Sequence, residues 1–94
     1  MDVEWDSAKD ESNQDKHGIG FTEAAEIFRG SIVVTADTRR DYGELRWIAL
    51  GEYDGEVIRV VFTRRGAVIR IISAWKAGRN ERETYQKAKQ DRPL

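Results

Sequence analysis

Residues 45–76 constrain the fold of this chain more than any other part. LRWIALGE, EVIRVVFTR and AVIRIISA are three alternating apolar runs, with YDGE and RRGA at their junctions. β-branched and aromatic residues at alternate positions suit the half-buried pleat of a strand, and connections this short join antiparallel neighbours. Asp54-Gly55 supplies the positive φ that a two-residue hairpin turn requires, and Arg65-Gly66 supplies it less ideally. Two-residue turns at both places pair Leu50 with Arg59, Ile48 with Val61, Val61 with Arg70 and Arg59 with Ile72. Side chains alternate with a period of two, so this register sorts them onto two faces. One face collects Leu45, Trp47, Ala49, Ile58, Val60, Phe62, Ile69 and Ile71. The other collects Arg46, Arg59 and Arg70 among Ile48, Leu50, Val61, Val68 and Ile72.

The flanking segments predict the remaining elements. VEW at the start reads as a short strand, and Asp6 is a suitable N-cap for a polar helix through DSAKDESNQDK. Lys16 and His17 fall in its last turn, and Gly18 follows as a residue able to adopt the left-handed conformation that ends helices. Thr22 is the expected N-cap of a second short helix that buries Ala24, Ala25, Ile27 and Phe28 and stops at Gly30. SIVVTAD reads as a strand. After the meander, a helix is predicted from Gly78 or Asn80 to Gln90, with Glu81 or Glu83 at the capping-box position and little besides Tyr85 and Ala88 to bury. The final Arg-Pro-Leu is expected to fray. The order is strand, two helices, four strands and helix: an α+β domain spanning residues 1–94.

Composition limits the chemistry. There is no cysteine and a single histidine, which removes disulfides, thiolate chemistry and the usual ligand sets for zinc, so a metal-independent function without cofactor is expected. No run approaches membrane-spanning length and MDVEWDSAKDE has no basic stretch leading into an apolar one, so a cytoplasmic protein with no membrane partner is expected. The net charge of −1 hides a division: residues 1–44 carry 11 acidic and 5 basic side chains, residues 45–94 carry 6 acidic and 11 basic. Either the two halves neutralise one another or the second half offers a basic surface to a polyanion.

The same two readings apply to the arginine face. A guanidinium flanked by Ile and Val in mid-strand must meet a carboxylate or reach water at a rim. Arg46, Arg59 and Arg70 either pair with acids of the first helix such as Asp10 or Asp15, or form a basic face for nucleic acid that Lys76, Arg79 and Arg82 extend. His17 either completes a helix C-terminus or transfers protons near neutral pH. Trp5, Trp47 and Phe62 fall in apolar alternation and read as core, whereas Trp75, beside Lys76, either packs under the last helix or offers a face to a base.

Trp5-Asp6, Lys9, Asn13, KHGIGF at 16–21, AAEIF at 24–28, Arg46-Trp47, Gly51, VFT at 61–63, IRIISAWKA at 69–77 and ERETY at 81–85 together resemble the BrnT family of type II toxin–antitoxin toxins. The likeness runs over residues 5–85, and the KHG and IRIISA blocks are specific in combination. It implies a RelE/ParE-like fold with helices on one sheet face and RNA on the other. It also implies a ribonuclease that arrests translation, and a BrnA-type antitoxin that wraps the toxin and represses their shared operator DNA. The family's KHG falls on Lys16, His17 and Gly18, and its strand arginine on Arg70. On this basis His17, Lys16 and Arg70 are the catalytic candidates, and Arg46, Arg59, Arg64, Trp75, Lys76 and Arg79 are candidates for contacting RNA. Family members usually carry arginine where this chain has Trp75, a change that removes a fixed charge and fits an attenuated toxin, a natural divergent member or a variant altered to be tolerated by its host. A non-catalytic member that binds antitoxin and nucleic acid without cutting is the alternative.

Overall fold

The computed structural model describes residues 2–91; the expectation of fraying at the terminal Arg-Pro-Leu lies outside them. The elements are β1 (Val3–Trp5), α1 (Ser7–His17), α2 (Phe21–Ala25), a 3-10 turn (Glu26–Arg29), β2 (Val33–Ala36), β3 (Trp47–Tyr53), β4 (Glu56–Arg65), β5 (Val68–Lys76) and α3 (Arg79–Gln90). The expected α+β order holds. The five strands form one sheet in the order β1-β5-β4-β3-β2. β1 is parallel to β5, and every other pair is antiparallel. No helix among the described residues is long and apolar enough to cross a membrane.

The β3–β4 hairpin has the predicted register, with Leu50 opposite Arg59 and Ile48 opposite Val61. Asp54 and Gly55 both take positive φ in its turn, as a two-residue turn compatible with strand twist demands. The β4–β5 hairpin corrects the prediction. Its turn residues are Gly66 and Ala67, so Arg65 faces Val68 and Thr63 faces Arg70. Farther along, Phe62 faces Ile71 while Val61 faces Ser73, which leaves Ile72 as an extra residue on β5. Such a bulge reverses the facing of every later residue on its strand. Ala74 therefore joins Ile69 and Ile71 on the face beneath α2, and Trp75 comes opposite Arg59 on the other face.

The main core lies between the sheet and the segment from Ile19 to Phe28. Phe21, Ala24, Ile27 and Phe28 pack on Ala49, Ile58, Val60, Phe62, Ile69 and Ile71. Trp5 meets Phe21 edge-on at 6.3 Å, and Trp47 stacks on Phe62 at 5.9 Å, so the expected core aromatics are core aromatics. Leu45, also assigned to this face, is instead 75% exposed, because it precedes β3 where no helix covers the sheet. α2 begins two residues earlier than the Thr22 cap implies, with Gly20 as its N-cap. The extended Gly20 lies close over Gln14, an approach a larger side chain would crowd. α3 lies on the opposite face, where Tyr85 and Ala77 pack on Leu50 and Val57. The Tyr85 hydroxyl donates to the Ser31 carbonyl at 3.2 Å.

The connection from β2 to β3 is organised by one buried carboxylate. Asp37 accepts hydrogen bonds from Arg39 Nε and Nη2, both at 2.8 Å, and from the Tyr42 hydroxyl at 3.0 Å. The Arg39 guanidinium holds this carboxyl well below the usual carboxylate range, against burial, which pushes it up. A depressed native value means that the stabilisation is complete above the unfolded pKa of about 4 and is lost as pH falls below it. Asp37→Asn is expected to cost about 1–3 kcal/mol at neutral pH and to flatten the acid limb of stability, as read by urea unfolding between pH 7 and 2. At Gly51 an added Cβ would lie 2.7 Å from Ile27 Cβ and 3.0 Å from Ile32 Cγ2. Gly51→Ala is expected to destabilise the fold by about 1–3 kcal/mol through overpacking, measured as a lower urea midpoint with an unchanged slope.

Candidate functional site

Asn13 places the first helix. β1 covers the flank of β5 only at Ile69, Arg70 and Ile71, so the backbone beyond the bulge faces no strand on that side. The Asn13 amide fills the gap: Nδ2 donates to the Ala74 carbonyl at 2.7 Å and to the Ile19 carbonyl at 3.0 Å, and Oδ1 accepts from the Ala74 N–H at 3.2 Å. This explains a buried polar side chain on a helix with almost no apolar residues. His17 is four residues on and shares that helix face. Its imidazole meets the Trp75 ring with centroids 5.4 Å apart. Gly18, at φ 70°, closes the helix and donates to the Gln14 carbonyl. His17 thus ends a helix and also stands over the sheet.

Trp75 meets a second group across the sheet. The Arg59 guanidinium carbon is 4.8 Å from the indole centroid, within the range of a cation–π contact. Arg59 Nη1 donates to Glu81 Oε2 at 2.5 Å, while Nε is buried without a hydrogen-bond partner among the described residues. His17, Trp75, Arg59 and Glu81 therefore form one continuous row from the end of α1 to the start of α3.

Arg70 and Arg46 lie elsewhere on the same face. Arg70 is opposite Thr63, four residues along β4 from Arg59, which is about 13 Å at strand rise. Its Nη1 donates to Glu4 Oε2 at 2.6 Å on the neighbouring β1. Arg46 turns toward its own loop, donating to Glu44 at 3.0 Å, with its guanidinium 4.1 Å from the Tyr42 centroid. The expectation that these arginines pair with Asp10 or Asp15 is corrected: their carboxylates are Glu81, Glu4 and Glu44. Asp10 instead accepts from the Phe21 N–H at 2.8 Å, tying α1 to the start of α2.

The remaining candidates separate. Lys16 is exposed beside His17. By register Arg64 faces Ile69 and Lys76 faces Ile58, which puts both on the side away from Arg59. Arg64 borders a 260 Å³ apolar groove with Phe28, Val34 and Trp47, and Lys76 pairs with Glu56 at 3.2 Å. Arg79 opens α3 and pairs with Glu83 at 3.2 Å. The expectation of helices on one face only is also corrected, since α3 covers part of the arginine face. Glu81 was legible only as a cap, because nothing local links it to Arg59. The doubled Ile71-Ile72, which breaks the alternation, was the available sign of the bulge.

A family model described as ribonuclease toxin, BrnT, of type II toxin–antitoxin system matches residues 5–81. The chain belongs to the BrnT family of ribonuclease toxins. A search of curated proteins finds no match. As a type II toxin, this BrnT family member has an antitoxin as partner. The matched span reaches from Trp5 on β1 to Glu81 on α3 and so contains the whole row.

Trp75→Arg would replace the indole between His17 and Arg59 with a second guanidinium directly across from the first. Like charges in a cross-strand pair oppose folding, and the ring contacts are lost as well. A loss of about 1–2 kcal/mol in urea unfolding is expected, smaller at high salt as the repulsion is screened.

Proposed function

We propose that this protein is an endoribonuclease that cuts RNA without a metal ion and thereby inhibits translation in the cytoplasm. The observation that carries the reading is the meeting of His17, Trp75 and Arg59 on a sheet face that also bears Arg70. Cleavage within the chain forms a bond from the 2′-oxygen to phosphorus and breaks the bond from phosphorus to the 5′-oxygen. One proton leaves the 2′-hydroxyl and one arrives at the departing oxygen, while charge builds on the phosphorane. His17 moves one of these protons, and Lys16 beside it is the cationic donor for the other. Arg59 and Arg70 hold phosphate oxygens, with Arg46 extending the basic face and Lys76, Arg64 and Arg79 steering RNA from its margins. Trp75 contributes an aromatic wall in place of a fixed charge and attenuates the toxin.

A BrnA-like antitoxin covers this face with an acidic segment, occupying the guanidinium groups as RNA would, and the complex binds operator DNA. A second reading, binding without cleavage, is favoured by one observation: Arg59, Arg70 and Arg46 each already hold a carboxylate. RNA must displace or share these contacts.

End-labelled RNA incubated in EDTA with the parent, His17→Ala, Arg70→Ala and Trp75→Arg proteins separates the readings. Cleavage by the parent, a loss of about 100-fold in His17→Ala and Arg70→Ala, and faster cutting by Trp75→Arg are expected. Binding without cutting, with Arg70→Ala lowering only affinity and its salt slope, would establish the binding reading instead.

A further inference from the structure

Glu81 uses its two carboxylate oxygens on two different elements. Oε1 accepts from the Gly78 N–H at 2.9 Å, the half of a capping box that a glycine N-cap, lacking a side chain, allows at the start of α3. Oε2 accepts from Arg59 Nη1 at 2.5 Å on β4. The cap alone needs one oxygen, and a surface ion pair alone would not be tied to a helix terminus.

The pair is partly enclosed, with the Arg59 side chain 17% and the Glu81 side chain 26% exposed. Arg59 is thus held at three places: by its strand, by the indole of Trp75 at 4.8 Å and by a carboxylate that is itself anchored to α3. An arginine so held does not lose rotamer freedom when it meets a phosphate. Only Nη1 is used by Glu81, and Nη2 carries no hydrogen bond to protein among the described residues. Nη2 is therefore the donor left, in a fixed plane, to make a charge-assisted hydrogen bond to an oxyanion.

We propose that Glu81 is a positioning residue for RNA cleavage, orienting Arg59 against Trp75 toward the reacting phosphate and tying that orientation to the first turn of α3. The inference rests on the ribonuclease reading and names the group that organises its cation. Glu81 touches no substrate. It acts through Arg59, so its effect exists only while Arg59 is present.

Glu81→Gln separates the two uses of the carboxylate. A neutral amide has one acceptor oxygen, which can serve Gly78 or Arg59 but not both, and its NH₂ group cannot accept from a guanidinium. The test measures kcat and KM for end-labelled RNA with the parent, Glu81→Gln, Arg59→Ala and the double variant, each confirmed folded by its thermal midpoint. For Glu81→Gln, kcat is expected to fall about tenfold from mispositioning with little change in KM, and to show no further fall when Arg59 is already alanine. Parental kcat in Glu81→Gln would overturn the proposal, as would the same fall on the Arg59→Ala background, because either result makes Glu81 a helix cap only. If the parent cuts no RNA, the ribonuclease reading fails by itself. The same four proteins are then compared for affinity to 2′-O-methyl RNA, where coupling between positions 59 and 81 supports the positioning role and simple additivity overturns it.

Discussion

The two hydrogen bonds between the Asn13 side chain and the Ala74 peptide decide where everything around the site lies. β1 is three residues long, and the flank of β5 beyond it would otherwise bury an unpaired N–H and C=O, which costs more than a made hydrogen bond returns. One amide has the donor and the acceptor to satisfy both, and its placement on α1 brings His17 to Trp75 one turn later. The bulge at Ile72 completes the arrangement from the other side. Without it Ala74 would face away from the core and Trp75 would be forced beneath the helices.

The arginine face is a set of neutralised cations rather than an open basic surface. Glu4 comes from the adjacent strand, Glu44 from the loop before β3 and Glu81 from α3. These pairs are neither fully exposed nor fully buried, so each contributes modestly to stability while fixing the direction of a long side chain. Their larger effect is electrostatic: each of these guanidinium groups has its charge offset by a carboxylate already in place. The charge division between the two halves of the sequence is thereby used internally, by pairs that cross from one half to the other at Arg70 with Glu4 and at Arg46 with Glu44.

The opposite face explains why the helical segment from Ile19 to Phe28 has so little freedom. Gly51 lets Ile27 and Ile32 approach the β3 backbone, and the Asp10 carboxylate receives the Phe21 N–H at the turn between helices. The buried stripe of that segment is thus set in register with the strands beneath it. The loop from β2 to β3 is organised by Asp37, which accepts from Tyr42, whose ring in turn meets Arg46.

The chain by itself determined its strands, its helices, the β3–β4 register and the division of the sheet into an apolar face and an arginine face. Those follow from local periodicity and from turn residues whose φ values few other residues adopt, as at Asp54 and Gly55. The KHG and IRIISA blocks were also sufficient to suggest the family that residues 5–81 match. Tertiary structure alone decided the bulge, the partners of Arg59 and Arg70, the position of α3 over the arginine face and the second use of Glu81. Each of these depends on groups far apart in the chain competing for one partner. Asn13 and Ala74 are separated by 61 residues and Arg59 and Glu81 by 22, and no pattern within one segment records which buried peptide or which carboxylate is satisfied by the other.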